Sequence, residues 1–199
     1  MRASVMVAIV VTAALAVAAP AYATGYVAEK FEKAVPPAKW TVKTKGSAGW
    51  TQRTGGPWGN YARGAAASSN NNESWAKMDT YSFNVAANTT LEYRFDYKYG
   101  HGGFAAPSYA KFYLFYVGPP EEEITSAGMA LTSKWVVFTG KPVAKRSGAV
   151  KARFEVWVKN PDTRHTAVYA WDVDNVVIAK AANHAVSPTS LGRVKALFK

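Results

Sequence analysis

The chain has 199 residues and no cysteine, with 24 lysine and arginine side chains against 13 aspartate and glutamate, for a net charge of +11. Disulfides, thiol nucleophiles and zinc–thiolate sites are therefore excluded, and the fold must rest on its core or on core plus metal. The basic excess suits solubility, or an anionic partner such as an acidic polysaccharide, a cell wall or a membrane surface.

The N-terminus opens with Arg2, an apolar run over residues 5–19, and Pro20-Ala21-Tyr22-Ala23. This is the layout of an export signal cleaved after Ala23. Its apolar run, roughly 15 residues, is short for a membrane span, and no later segment is long enough to be one. The expected organisation is a signal over 1–23, one domain over 24–180 and a tail over 181–199. A secreted, periplasmic or cell-surface location follows, with a mature charge of about +10 once Arg2 is removed.

Residues 31–44 are expected to give the first strand. Residues 46–64 read as a glycine-rich break in which Trp50, Trp58 and Tyr61 are interleaved, and residues 68–74 as a polar break. At least one strand is expected within 75–85. Over 91–99, Leu91, Tyr93, Phe95, Tyr97 and Tyr99 alternate with Glu92, Arg94, Asp96 and Lys98, which is a half-buried strand. After glycines at 100, 102 and 103, residues 111–117 are apolar on both faces, as in a sandwich interior. Gly118-Pro119-Pro120 is a turn, and Glu121-Glu122-Glu123 is expected to begin a helical turn. Residues 135–139 form a short strand. In 151–159, Ala152, Phe154, Val156 and Val158 alternate with Arg153, Glu155, Trp157 and Lys159. Asn160-Pro161-Asp162 is a turn, and residues 167–178 form the last long strand. In the tail, Ser187-Pro188-Thr189-Ser190 is expected to cap a short helix carrying Leu191, Val194, Leu197 and Phe198. That tail would dock on the domain, lie on an anionic surface or act as a sorting signal.

Many short strands with glycine and proline turns predict an all-β antiparallel sandwich, and no internal repeat is present. Period two places Trp157 on the charged side of its strand, so it is either a packed ring or an exposed platform for a sugar. Trp50, Trp58 and Tyr61 are expected as contacts because they sit among glycines. If the 91–99 and 151–159 strands share a sheet, Arg94, Asp96 and Lys98 join Arg153, Glu155 and Trp157 in a groove. Such a groove could hold a glycan by stacking and by charged hydrogen bonds.

Asp172 and Asp174 share one strand face with Ala170 and Val176. A carboxylate buried there needs a basic partner or a hard cation, and Glu32 is the natural opposite ligand. The histidines, His101, His165 and His184, stand far apart without metal-site spacing. No nucleophile elbow, phosphate loop or H-E-x-x-H helix occurs, so no enzyme is expected. A carboxylate pair for glycoside cleavage is the residual catalytic alternative. No helix-turn-helix, zinc-finger or RNA-recognition pattern occurs, and no specific nucleic-acid partner is expected.

Phe31-Glu32 with Pro36-Pro37 and Trp40-Thr41, the blocks at 75–83 and 90–98, and the closing stretch from Tyr169 to Ile178 together carry a family resemblance. They resemble the opening, central strands and closing strand of secreted jelly-roll modules of the galactose-binding-like superfamily. That superfamily includes carbohydrate-binding modules of cellulases and xylanases, and MAM-like surface-adhesion domains. The resemblance spans residues 27–179. It implies a jelly-roll sandwich that binds carbohydrate without catalysis. It also implies one structural calcium ion held by Glu32 and Asp174, with Asn175 standing where a second aspartate is usual. A protein-binding adhesion domain is the alternative from another class, and a glycoside hydrolase or polysaccharide lyase a third. The sequence sets no oligomeric state.

Overall fold

A computed structural model describes residues 25–182. The signal at 1–23 and nearly all of the 181–199 tail, with its expected helix, lie outside the described residues. Thirteen strands follow in order: β1 (Gly25–Glu29), β2 (Thr41–Lys45), β3 (Ser47–Gly56), β4 (Gly59–Ser68), β5 (Glu73–Asp79), β6 (Phe83–Val85), β7 (Thr89–Gly103), β8 (Ser108–Tyr116), β9 (Glu122–Gly128), β10 (Thr132–Gly140), β11 (Val143–Ala144), β12 (Gly148–Lys159) and β13 (Ala167–Lys180). They form two antiparallel sheets. One runs β10-β7-β13-β4-β3, with β1 on β13 and β11 on β7. The other runs β2-β5-β12-β8-β9, with β6 on β12.

The interior follows from alternation. Leu91, Tyr93, Phe95, Tyr97 and Tyr99 of β7 all point inward and are buried, as are Ala152, Phe154, Val156 and Val158 of β12. Phe95 and Trp171 from one sheet meet Phe112 and Phe154 from the other, with ring centroids 5.1–5.5 Å apart for the cross-sheet pairs Phe95–Phe112, Phe95–Phe154 and Phe154–Trp171. Four fully buried rings tie the two sheets together, each contributing on the order of 2–3 kcal/mol by its burial.

Four expectations change. The first strand is two pieces, β1 and β2, with residues 30–40 as the loop between them. The glycine-rich stretch at 46–64 is not a break but the long β3–β4 hairpin, with Trp50 turned into the core. Glu122 and Glu123 begin β9, and no helix occurs among the described residues. Lastly, β7 and β12 lie in different sheets, so Arg94, Asp96 and Lys98 cannot share a groove with Arg153, Glu155 and Trp157. Alternation tells which residues of a strand face out; it does not tell from which sheet they face out.

Candidate binding face

The sequence candidates divide between the two outer faces. On the six-stranded sheet, register aligns Lys45, Trp75, Trp157 and Tyr109 in one cross-strand row. The next row is Lys43, Lys77, Glu155 and Lys111, followed by Thr41, Asp79, Arg153 and Tyr113. Trp157 does point outward, but it is half-buried and stacks on Tyr109 with centroids 5.2 Å apart and planes 13° apart. Lys77 lies over Trp75, Lys111 over Tyr113 and Arg153 over Phe115, at 4.9, 4.6 and 4.5 Å. Arg153 grips Asp79 with two bonds of 2.7 and 2.9 Å and donates two more to Glu121. Glu155, 5% exposed, accepts a 2.8 Å bond from the Tyr109 hydroxyl and pairs with Lys77 at 3.4 Å.

The shifts of its ionisable groups agree with this closure. Hydrogen bonding to Asp79 raises the Arg153 pKa, and bonding to Arg153 lowers that of Glu121. Burial pushes the Tyr113 hydroxyl up to about 12, with Glu155 adding to the shift. Each ring of this surface already has a partner from the chain itself, and its buried charges are paired. The face is a self-satisfied lattice of cation–π contacts and ion pairs.

The outer face of the seven-stranded sheet is built differently. Two consecutive cross-strand rows are small: Gly49, Ala65, Ala170 and Gly100, then Ser47, Ala67, Val168 and Gly102. The row beside them is Thr51, Arg63, Asp172 and Lys98. Arg63 donates to the two oxygens of Asp172 at 2.6 and 2.8 Å, and to the Tyr61 hydroxyl at 3.2 Å. Asp172 is 3% exposed and thus charge-compensated. Its hydrogen bond raises the Arg63 pKa; burial and then Asp172 raise that of Tyr61.

Tyr61 on β4 and Trp135 on β10 meet edge to face at 5.2 Å, although β13 and β7 lie between their strands. The two side chains lean toward each other across about 14 Å of sheet. Trp135 lies in the stretch of β10 where the register is irregular, between Thr132 and Val136. Beside this bridge runs a trough of about 170 Å³ lined by Arg63, Lys98, His101, Val168, Ala170 and Asp172, together with glycines. Lys98, and Arg53 near Tyr61, have no ion-pair partner among the described residues.

Trp58 stands at the tip of the β3–β4 hairpin and is 54% exposed. Its indole N–H donates to Asp96 Oδ2 at 2.8 Å. Asp96 is 5% exposed and also accepts from Asn175 Nδ2 at 3.2 Å. The ring is open to solvent and held in place from beneath. Trp50, by contrast, packs on Trp171 at 6.0 Å and is core, and Tyr61 is buried under Trp135. Arg94 points to this outer face and is half-buried, with its Nε unpartnered.

The same hairpin tip is clamped by acids. Phe31 is fully buried against Trp40 and adopts φ 56°, in the left-handed region. That bend carries Glu32 to the hairpin, where it accepts from the Asn60 backbone N–H at 3.3 Å. Gly59, at φ 119°, holds a backbone conformation that other residues rarely adopt, and a Cβ there would push aside the Glu32 carboxylate. On the other side Asp174 is fully buried. Its Oδ1 accepts from the Asn175 N–H at 2.7 Å, the Trp58 backbone N–H also faces the carboxylate, and its Oδ2 makes no hydrogen bond of ordinary geometry. Burial is the main cause that pushes its carboxyl up to about 6, with Asp96 and Glu32 adding to the rise. Asn175 sits at φ 49° in the β13 bulge, a conformation that asparagine tolerates. Val176 therefore returns to the core and leaves the face of Asp172 and Asp174. Among the described residues no three aspartate, glutamate or histidine side chains converge as a metal-sized group.

Sequence reasoning placed Trp58, Tyr61, Asp96 and Asp174 among the candidates, and the structure brings them to one face. It missed Arg63, His101 and Trp135. Arg63 was hidden because its strand was read as a break.

No family model matches the sequence, and no curated protein matches it. Solved structures do. The xylan-binding CBM22-1 domain of Paenibacillus barcinonensis Xyn10C superposes with TM-score 0.51 at 17% identity, over 80% of this chain and 97% of that one. The K3 cleaved adhesin domain of Lys-gingipain from Porphyromonas gingivalis gives 0.52 at 12% identity, over 79% and 100%. A CBM4 module gives 0.50 at 13% identity, over 72% and 95%. At these identities the likeness is one of fold: the chain has the β-sandwich jelly-roll architecture of carbohydrate-binding modules.

Proposed function

We propose that the protein is an exported, non-catalytic carbohydrate-binding module that holds a saccharide, preferably an anionic one, on the outer face of its seven-stranded sheet. The observation that carries this reading is Trp58, an exposed indole fixed to the buried Asp96 carboxylate. A sugar's C–H face stacks on such a ring, and a pre-fixed ring loses little entropy on binding. The trough supplies Lys98 and Arg63 as donors to hydroxyls or carboxylates. The solved modules of this fold support the carbohydrate assignment. The non-catalytic reading is supported by three of the acids. Asp172 is taken by Arg63, Asp96 by Trp58 and Asn175, and Glu155 by Lys77 and Tyr109.

The test is retention on insoluble polysaccharides and on acidic glycans at two ionic strengths. Trp58→Ala is expected to weaken retention about 10-fold or more, the scale of one lost stacking contact in a desolvated site. Trp157→Ala is expected to leave it unchanged. High salt is expected to weaken the acidic ligands more than neutral ones. Equal retention by the parent and Trp58→Ala proteins sinks the reading.

A structural calcium ion is part of the same proposal. The unpartnered Oδ2 of Asp174, with Glu32 across the hairpin tip, is the chemistry a hard oxygen-seeking cation satisfies. Glu32 and Asp174 would hold it with backbone oxygens completing the shell. The ion would supply positive charge that ties the loop after β1 to β13.

A further inference from the structure

We propose that calcium bound by Glu32 and Asp174 fixes the Trp58 platform, so that ion and saccharide raise each other's affinity, a coupling that rests on the reading of Trp58 as the sugar contact. The turn that carries Trp58 is poorly held by its own sequence. Gly56 and Gly59 are cross-strand partners, so β3 and β4 are joined by two residues, Pro57 and Trp58. The favoured two-residue hairpin turns need positive φ at their first central position. Proline is locked near about −65° and cannot supply it. The position of the turn therefore depends on what grips it.

Acids grip it from both sides. The Glu32 carboxylate lies against Gly59 and accepts from the Asn60 N–H, and the Glu32 carbonyl accepts from the Asn60 side chain at 3.3 Å. Across the turn, Asp174 Oδ2 lies against Gly56, and the Trp58 backbone N–H faces the same carboxylate. Trp58 then reaches Asp96 with its indole N–H. Asn175 repeats that pattern: its backbone N–H bonds Asp174 and its side chain bonds Asp96. Asp96 and Asp174 are themselves cross-strand partners. Two residues thus tie the acid that fixes the indole to an acid that would hold the ion. The sign of the coupling follows from charge. Asp96 and Glu32 both repel the charge of Asp174, and without a cation this repulsion works against the closed turn. A cation on Glu32 and on Asp174 Oδ2, which makes no ordinary hydrogen bond, replaces repulsion by attraction. The coupling is positive and reciprocal: saccharide on Trp58 raises calcium affinity by the factor that calcium raises saccharide affinity.

Solvent exchange of the tryptophan indole protons, read by NMR on the protein without any saccharide, tests the grip on Trp58. The Trp58 resonance is identified by its loss in Trp58→Phe. Calcium, compared with EGTA, is expected to slow its exchange about 5-fold or more, the low end of ordinary site-to-site coupling. Trp75 and Trp157, on the other sheet, are expected to stay unchanged. Glu32→Gln is expected to abolish the calcium effect, and Asp174→Asn is a second variant should the first melt early. Native gels containing carboxymethylcellulose, a soluble anionic glycan, read the saccharide arm. Its apparent Kd is expected to be about 5-fold lower in calcium than in EGTA, and equal in the two for Glu32→Gln. Melting that rises with calcium while Trp58 exchange stays fixed makes the ion a structural staple alone and overturns the proposal. Exchange that ignores calcium, or glycan retardation equal in calcium and EGTA, overturns it as well. Slowed exchange with no retardation in either buffer supports the grip on Trp58 and counts against the saccharide reading instead.

Discussion

Asp174 is one of four residues, with Trp50, Arg94 and Trp171, whose buried polar atoms lack a hydrogen-bond partner among the described residues. Its side chain is fully buried and one oxygen has no partner. Burial of the anion, only partly offset by the backbone N–H groups of Asn175 and Trp58, pushes its carboxyl up to about 6. Asp174→Asn separates two situations. In chelator, the Asp174→Asn protein is expected to melt at or above the parent, because an ionic group has been replaced by a neutral one. In calcium at about 100 times its dissociation constant, the parent gains about 2.7 kcal/mol by linkage and the variant gains little. Differential scanning calorimetry reads both arms. A parent whose melting ignores chelator and calcium alike has no cation there. At this scale the sequence was informative about chemistry and silent about pairing. Glu32 and Asp174 could be proposed from their positions, whereas the hydrogen bond from Trp58 to Asp96 joins residues 38 apart and needs the fold to be seen.

At the scale of elements, legibility tracked side-chain size. β7 and β12 alternate large apolar with charged residues, and both were readable. β3 and β4 are rich in glycine and alanine, which carry weak strand propensity and resemble turns. They are strands because Trp50 and the small Ala62 and Ala66 fit the core, and because their partners supply a ladder on both sides of β4. The β13 bulge was likewise invisible as a bulge. Asn175 was read as a weakened metal ligand, and its first job is to hold φ 49° and bond Asp96. This separates two variants. Asn175→Gly keeps the backbone and loses the bond, with an expected cost of about 1 kcal/mol. Asn175→Val also forces a β-branched residue into the left-handed region, with an expected cost of about 2–3 kcal/mol. Denaturant midpoints rank them. A valine variant as stable as the glycine variant means that the bulge relaxes.

The whole molecule depends on the seam between its two sheets, and that seam includes tyrosines as well as hydrocarbon rings. Tyr99 on β7 is 3% exposed and its hydroxyl donates across the sandwich to Ser108 Oγ of β8 at 3.2 Å. Burial pushes its pKa from 10.0 to about 12. The native state therefore keeps this proton over a range in which the unfolded chain has lost it. Where the native state binds more protons, stability falls as pH rises. The contribution is whole below pH 10 and disappears as pH climbs to about 12, a loss of roughly 2–3 kcal/mol by the usual 1.36 kcal/mol per unit. Tyr99→Phe removes the titrating group while keeping the ring. Its stability is expected to decline less steeply between pH 10 and 12 than that of the parent, measured by guanidinium midpoints at each pH. Absorbance of ionised tyrosine gives an independent check. The parent is expected to show a late fraction titrating near 12, from Tyr99 and the half-buried Tyr113. In Tyr99→Phe that fraction shrinks. If the parent titrates as one population near 10, the two sheets admit water along the Tyr99–Ser108 line, and the seam is looser than its packing indicates.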